Sequence, residues 1–152
     1  MRAVIQRVTK AAVYVENELI SSIGPGICAL IGIGSNDTPE DIDYIVRKLI
    51  NLRLFPNDSS GKRWDRSVKD NGYEILCVSQ FTLFGAPKGN KLDFHKSMGT
   101  PDAPIFYETF INTLRSSYIP DKIKDGKFGA YMKVEIENDG PVTILLDSTT
   151  RT

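Results

Sequence analysis

Histidine is almost missing from this sequence, and its scarcity narrows the available chemistry first. The chain of 152 residues carries one histidine, two cysteines and one tryptophan. One histidine and two cysteines cannot close a four-ligand zinc site, and no H-E-x-x-H pair is present. No G-x-S-x-G elbow occurs, which removes the α/β-hydrolase triad. "GIGSND" at 32–37 falls short of G-x-G-x-x-G, and "GAPKGNK" at 85–91 is not a phosphate-binding Walker loop. Catalysis through a metal, a triad or a dinucleotide is therefore poorly supported, and no cofactor is expected.

Net charge is also missing. Nineteen basic residues balance nineteen acidic ones, which argues against coating duplex DNA through overall charge. No apolar run approaches the ~18 residues of a membrane span, and "MRAVIQRVTK" does not read as a signal peptide. No membrane association is expected, and the cytoplasm is the natural compartment. Cys28 and Cys77 lie inside apolar strand-like runs and read as reduced core residues.

What remains is an ordinary globular composition, 41% hydrophobic and 25% charged, in a chain of single-domain length. Residues 1–152 are read as one domain, and a domain of this size buries roughly 68–70% of its unfolded surface. Residues 2–8 and 11–16 alternate like strands, with 19–23 following a turn at Asn17-Glu18. "ICALIGI" reads as a strand buried on both faces, and "YEILCVSQFTLF" is the longest strand signal. Thr38-Pro39-Glu40-Asp41 has the form of a helix start, followed by an apolar face at Ile42, Ile45, Val46, Leu49 and Ile50. A second helix is expected from about Pro104 to Tyr118, and "YMKVEIE" and "VTILLD" as two closing strands. The fold class is α/β (α+β-like), a strand-rich, barrel-like sheet core with about two packing helices.

Three stretches do not fit a purely structural account. Ser79, Gln80 and Thr82 interrupt an apolar strand pattern, and a buried hydroxyl or amide left without a partner costs ~1–3 kcal/mol. They either satisfy neighbouring backbone or form the polar floor of a pocket. In "NDGPVT", Asn138-Asp139-Gly140 is good turn chemistry for a hairpin, yet Pro141 cannot donate to a ladder. In "KGNKLDFHK", Lys88, Lys91, His95 and Lys96 face one acid, Asp93: either a solvated loop or a clamp for a phosphate backbone.

Taken together, "SQFTL", "NDGPVT", the opening "IQRV", "IGPG" at 23–26 and "GKFGAYM" at 126–132 resemble the D-aminoacyl-tRNA deacylase family. The likeness runs through essentially the whole chain. It implies a homodimeric ester hydrolase that releases D-amino acids, or mischarged glycine, from the tRNA 3′ end as chiral proofreading. It implies that Ser79, Gln80, Phe81 and Thr82 form the catalytic pocket. Gly140-Pro141 would be a cis peptide reaching the partner's site and excluding L side chains, with Arg7 steadying it. Phe128 and Met132 would line the terminal adenosine's site, and Ala103 would lie near the substrate. Leu92 departs from the family pattern, which usually carries proline there. Lys88, Lys91 and Lys96 are the candidate tRNA contacts. A non-catalytic RNA- or DNA-binding module using the same basic stretch is the competing reading, and it leaves "SQFT" and the Gly-Pro peptide without a purpose.

Overall fold

The computed structural model describes residues 1–151. One long strand, β1 (Arg2–Val15), organises the rest. The two strands expected at 2–8 and 11–16 are this single element, and the turn after it falls at Glu16 and Asn17, both with positive φ. β1 pairs along its first half with β3 (Gly26–Gly32) and along its second half with β2 (Glu18–Ile23). β3 then pairs in parallel with β4 (Glu74–Ser79), and β4 in parallel with β7 (Ile123–Asp125). The Ser21 hydroxyl donates to the Asp125 carbonyl at 2.7 Å, tying β2 to β7 and curling the sheet into a nearly closed barrel.

Two buried clusters hold this sheet. Ile27, Ala29 and Ile31 of β3 face the helices, while Cys28 faces the barrel interior with Val8, Val13, Leu76 and Val78. The unbroken apolar run of β3 thus follows from burial on both faces. Helix α1 (Pro39–Asn51) begins as expected, with the Asp41 carboxylate accepting from the Thr38 backbone N–H at 2.8 Å. Ile42, Ile45, Val46, Leu49 and Ile50 all enter the core. α3 (Asp102–Ser117) starts two residues earlier than the sequence implied and buries Tyr107, Phe110, Ile111 and Leu114. A third, four-residue helix, α2 (Val68–Asn71), was not foreseen, because four residues show no periodicity.

Two expectations are corrected. "YEILCVSQFTLF" is not one strand: β4 ends at Ser79, and Phe81–Phe84 winds into a 3-10 helix. At the carboxyl end, residues 135–147 form no hairpin. A single strand, β8 (Lys133–Asp147), runs antiparallel to β1 on both sides of a break in the pairing. Gln6 pairs with Thr143 and Val8 with Asn138, so residues 139–142 loop out opposite Arg7 alone. A small hairpin, β5 (Ala86–Lys88) and β6 (Lys91–Asp93), completes the fold, with exposed Leu92 opposite Pro87.

Candidate active site

The carboxyl ends of parallel strands are where open sheets leave room for ligands. Here β3 and β4 end beside a cavity of about 730 Å³, walled by Ile31, Ile33 and Val78 below and by Ser79, Gln80 and Phe81 at one side. The 3-10 turn fits against β3 only because residue 32 is glycine: a Cβ there would meet the Leu83 Cβ at 2.9 Å. Arg2 secures the turn from beneath, donating to the Leu83 carbonyl at 2.7 Å with its guanidinium 4.4 Å from the Phe84 ring centre.

Within the turn, the Thr82 hydroxyl donates to the Gln80 side-chain oxygen at 2.5 Å. The Gln80 N–H is committed to the Ile31 carbonyl at 2.7 Å. The Phe81 and Thr82 N–H groups have no partner among the described residues, as the opening donors of a helical turn commonly do not. Ser79 and Gln80 are half-buried, whereas Phe81 and Thr82 are exposed, so the polar interruption belongs to a cavity rim. Thr82 itself does not line the cavity.

The opposite wall comes from far along the chain. Ala103 lies in the first turn of α3, and Phe128 and Met132 come from the loop between β7 and β8. That loop is firmly tied. Gly126 N–H donates to the Cys77 carbonyl at 3.0 Å, Ala130 N–H to the Lys127 carbonyl at 3.1 Å, and Lys127 N–H to the Met132 sulfur at 3.4 Å. Phe128 rests on Tyr107 with ring centres 5.4 Å apart, and the Tyr107 phenol donates to Asp125 at 2.6 Å. Burial raises both the Asp125 carboxyl and, further, the Tyr107 phenol above their ordinary ranges. Burial also pushes the Cys28 thiol up to about 12 and the Cys77 thiol well above its usual value, so neither is a ready nucleophile. No group of three or more potential metal-ligating side chains occurs among the described residues.

Gly140 and Pro141 lie elsewhere. With Arg7, Pro56, Arg63, Trp64 and Val142 they line a second cavity of about 390 Å³, which shares no residue with the first. The Gly140-Pro141 peptide is cis, as is Thr100-Pro101. Arg7 backs the tip, donating to the Asp139 carbonyl at 3.2 Å and to the Leu54 carbonyl at 2.7 Å. Asn138 braces its base, donating to the Arg7 and Val142 carbonyls at 2.9 and 3.0 Å. Gly140 sits at φ +127°, and a Cβ there would come within 3.0 Å of Arg7 and 2.9 Å of Val142. Lys88, Lys91 and Lys96 are exposed on and just beyond the β5–β6 hairpin, whose continuation through Phe94 and Ser97 reaches the first cavity.

Sequence and structure can be set against known proteins at this point. The family model described as D-Tyr-tRNA(Tyr) deacylase matches residues 4–147, nearly the whole fold. The chain belongs to that family. The D-aminoacyl-tRNA deacylase 1 of Homo sapiens is 59% identical over 148 residues, covering 97% of this chain and 70% of the relative. The D-aminoacyl-tRNA deacylase of Drosophila melanogaster is 59% identical over 148 residues, covering 97% and 92%. A solved structure titled c-Myc DNA Unwinding Element Binding Protein superposes with a TM-score of 0.93 at 58% identity, covering 97% of this chain and 98% of that one. This member of the deacylase family is thus an ester hydrolase acting on D-aminoacyl-tRNA.

Several residues of the two cavities escaped the sequence reading. Phe94, Met98 and Tyr131 line the first and Trp64 and Arg63 the second. The single tryptophan beside an arginine was the one local signal available for the last pair.

Proposed function

We propose that the larger cavity takes the terminal adenosine and its aminoacyl ester, and that the Gly140-Pro141 tip of a second copy closes it. What carries this reading is the separation of the two cavities in one chain. The 3-10 turn faces one and the Gly-Pro tip faces the other, so a site using both needs two chains. Phe128 and Met132 supply an apolar wall suited to a base, and Ala103 leaves room beside it.

The chemistry needs little from side chains. An aminoacyl ester is already activated, and the vicinal ribose hydroxyl orients a water toward the carbonyl carbon. The water oxygen bonds to that carbon, and the resulting oxyanion is held by free backbone N–H groups of the turn, chiefly that of Phe81. The carbon–oxygen bond to the ribose then breaks, and the departing oxygen takes the proton the water gives up. Thr82 contributes by orienting Gln80, and no base adjoins its hydroxyl to make it a nucleophile. Carbonyls of the Gly-Pro tip, facing the α-carbon, would obstruct an L side chain and spare a D side chain. Glycine has no side chain to obstruct, so glycyl-tRNA is a second substrate.

The test is turnover of matched D-, L- and glycyl-tRNA on one tRNA, with subunit mass measured alongside. D and glycyl substrates should be released while the L ester persists, in a dimer. Arg7→Ala should lower the D-to-L ratio by loosening the tip. Equal turnover of D and L esters, or an active monomer, overturns the reading. The DNA-binding title of one similar structure, together with the exposed lysines, favours nucleic-acid binding as a second reading. Binding without turnover, steeply dependent on salt, is its signature. The work of either reading is done in the cytoplasm.

A further inference from the structure

Tyr131 is 97% exposed, the most exposed large hydrophobic side chain of the described residues, yet it lines the mouth of the larger cavity. Exposure of this kind usually means a mobile loop. Here the loop is bonded at both ends and across its turn, by the Gly126, Ala130 and Lys127 N–H groups. Its neighbour Phe128 is seated on Tyr107, and Met132 packs inward against the barrel cluster. A rigid turn therefore holds one aromatic ring in solvent at the rim, with exposed Lys127 and Lys133 on either side of it. Phe81, another exposed aromatic at the rim, already stacks edge-on against Phe94 at 5.0 Å, and Phe128 is already paired with Tyr107. Tyr131 enters none of the close aromatic pairs and makes no side-chain hydrogen bond among the described residues.

The substrate supplies what such a ring lacks. The 3′ end of tRNA is single-stranded, and a base that leaves the cavity must be followed across the rim by the next. Unpaired bases stack on aromatic side chains with little regard for sequence, and flanking lysines neutralise the phosphates between them. We propose that Tyr131 is a stacking platform for the nucleobase next to the terminal adenosine. The inference rests on the larger cavity being the adenosine site, and it adds a subsite outside that cavity.

Steady-state kinetics on two substrates separate the subsite from the cavity. One is full D-aminoacyl-tRNA, and the other is a D-aminoacyl-adenosine that ends where the cavity ends. Tyr131→Ala should raise KM for the tRNA by about five- to a hundredfold, with kcat unchanged, and leave the minimal substrate unaffected. Tyr131→Phe and Tyr131→Trp should restore the tRNA KM, since stacking needs the ring and not the hydroxyl. Phe128→Ala should impair both substrates. An unchanged tRNA KM in Tyr131→Ala overturns the proposal. So does equal loss on both substrates, a Phe variant as poor as the Ala variant, or a change in subunit mass. If Phe128→Ala impairs neither substrate, the cavity assignment has failed, and the subsite falls with it.

Discussion

Thr82 and Gln80 answer each other inside the turn, and that bond decides what each is free to do. A hydroxyl that donates to an amide oxygen, with no base beside it, is not poised to attack. Thr82→Ala should therefore keep substantial activity on D-aminoacyl-tRNA, measured as kcat/KM. A loss near ~10⁴-fold, as when a triad member is removed, would instead make Thr82 the nucleophile. Backbone assignments of this kind were not legible in the sequence. "SQFT" announced polar groups where apolar ones were expected. Which N–H groups stay free depends on the Ile31 carbonyl, dozens of residues away.

Among elements, the amino end of α1 is held by several hydrogen bonds to the Asp41 carboxylate. Burial alone would raise the Asp41 carboxyl, but the Ser148 hydroxyl, the Thr38 N–H and the chain's ammonium group outweigh it and hold it below its ordinary value. Ser148 Oγ donates to it at a short 2.6 Å, and Arg151 at a longer 3.3 Å. A carboxyl depressed in the folded state stabilises the fold above the unfolded value of about 3.9, and that stabilisation is lost as pH falls through the folded value. Asp41→Asn should cost ~1.5–3 kcal/mol at pH 7 by urea unfolding, and the gap should close in acid. A gap independent of pH would mean lost packing. The β5–β6 hairpin makes a different demand. Replacing Lys88, Lys91 and Lys96 with alanine should raise KM for aminoacyl-tRNA and flatten its salt dependence, leaving aminoacyl-adenosine untouched. Equal damage to the small substrate would remove the phosphate role. The elements themselves were mostly legible: α1 from its cap and apolar face, α3 from its apolar spacing, β2 from the turn before it, and β3 from an unbroken apolar run. "SQFTLF" misled because its alternation continues the strand pattern, while the Gly32 approach and the Arg2 bond that bend it are long-range. β8 misled because good turn residues sit in it, and the partner strand β1 runs on past them regardless.

For the whole molecule, the proposed pairing of one copy's tip with another copy's cavity makes a requirement that a mixture can test. Gly140→Ala forces a side chain against Arg7 and Val142 at a φ that suits glycine, and so spoils the tip. Phe128→Ala spoils the cavity. On that proposal the added Cβ at 140 also obstructs any ester the tip faces, so each variant alone should be nearly inactive. If two copies pair as proposed, half of the co-expressed dimers hold one of each with one of their two sites intact, so about a quarter of the activity should return. No recovery, with mixed dimers demonstrated by mass, would place tip and cavity in separate roles.

The looped-out segment of β8 has an arithmetic of its own. Between the Ile5–Ile144 and Ala11–Ile136 pairs, eight steps along β8 face six along β1. The two extra residues are taken up locally. Val134 and Ile136 before the tip pack against the barrel-interior cluster, and Ile144 and Leu146 after it against the cluster beneath the helices. Each half of β8 is held by its own pairs with β1 and by its own cluster, and neither hold passes through the tip. The tip is thus a detour hung between two separately anchored half-strands. Its residues can change without rewriting the strand that carries them.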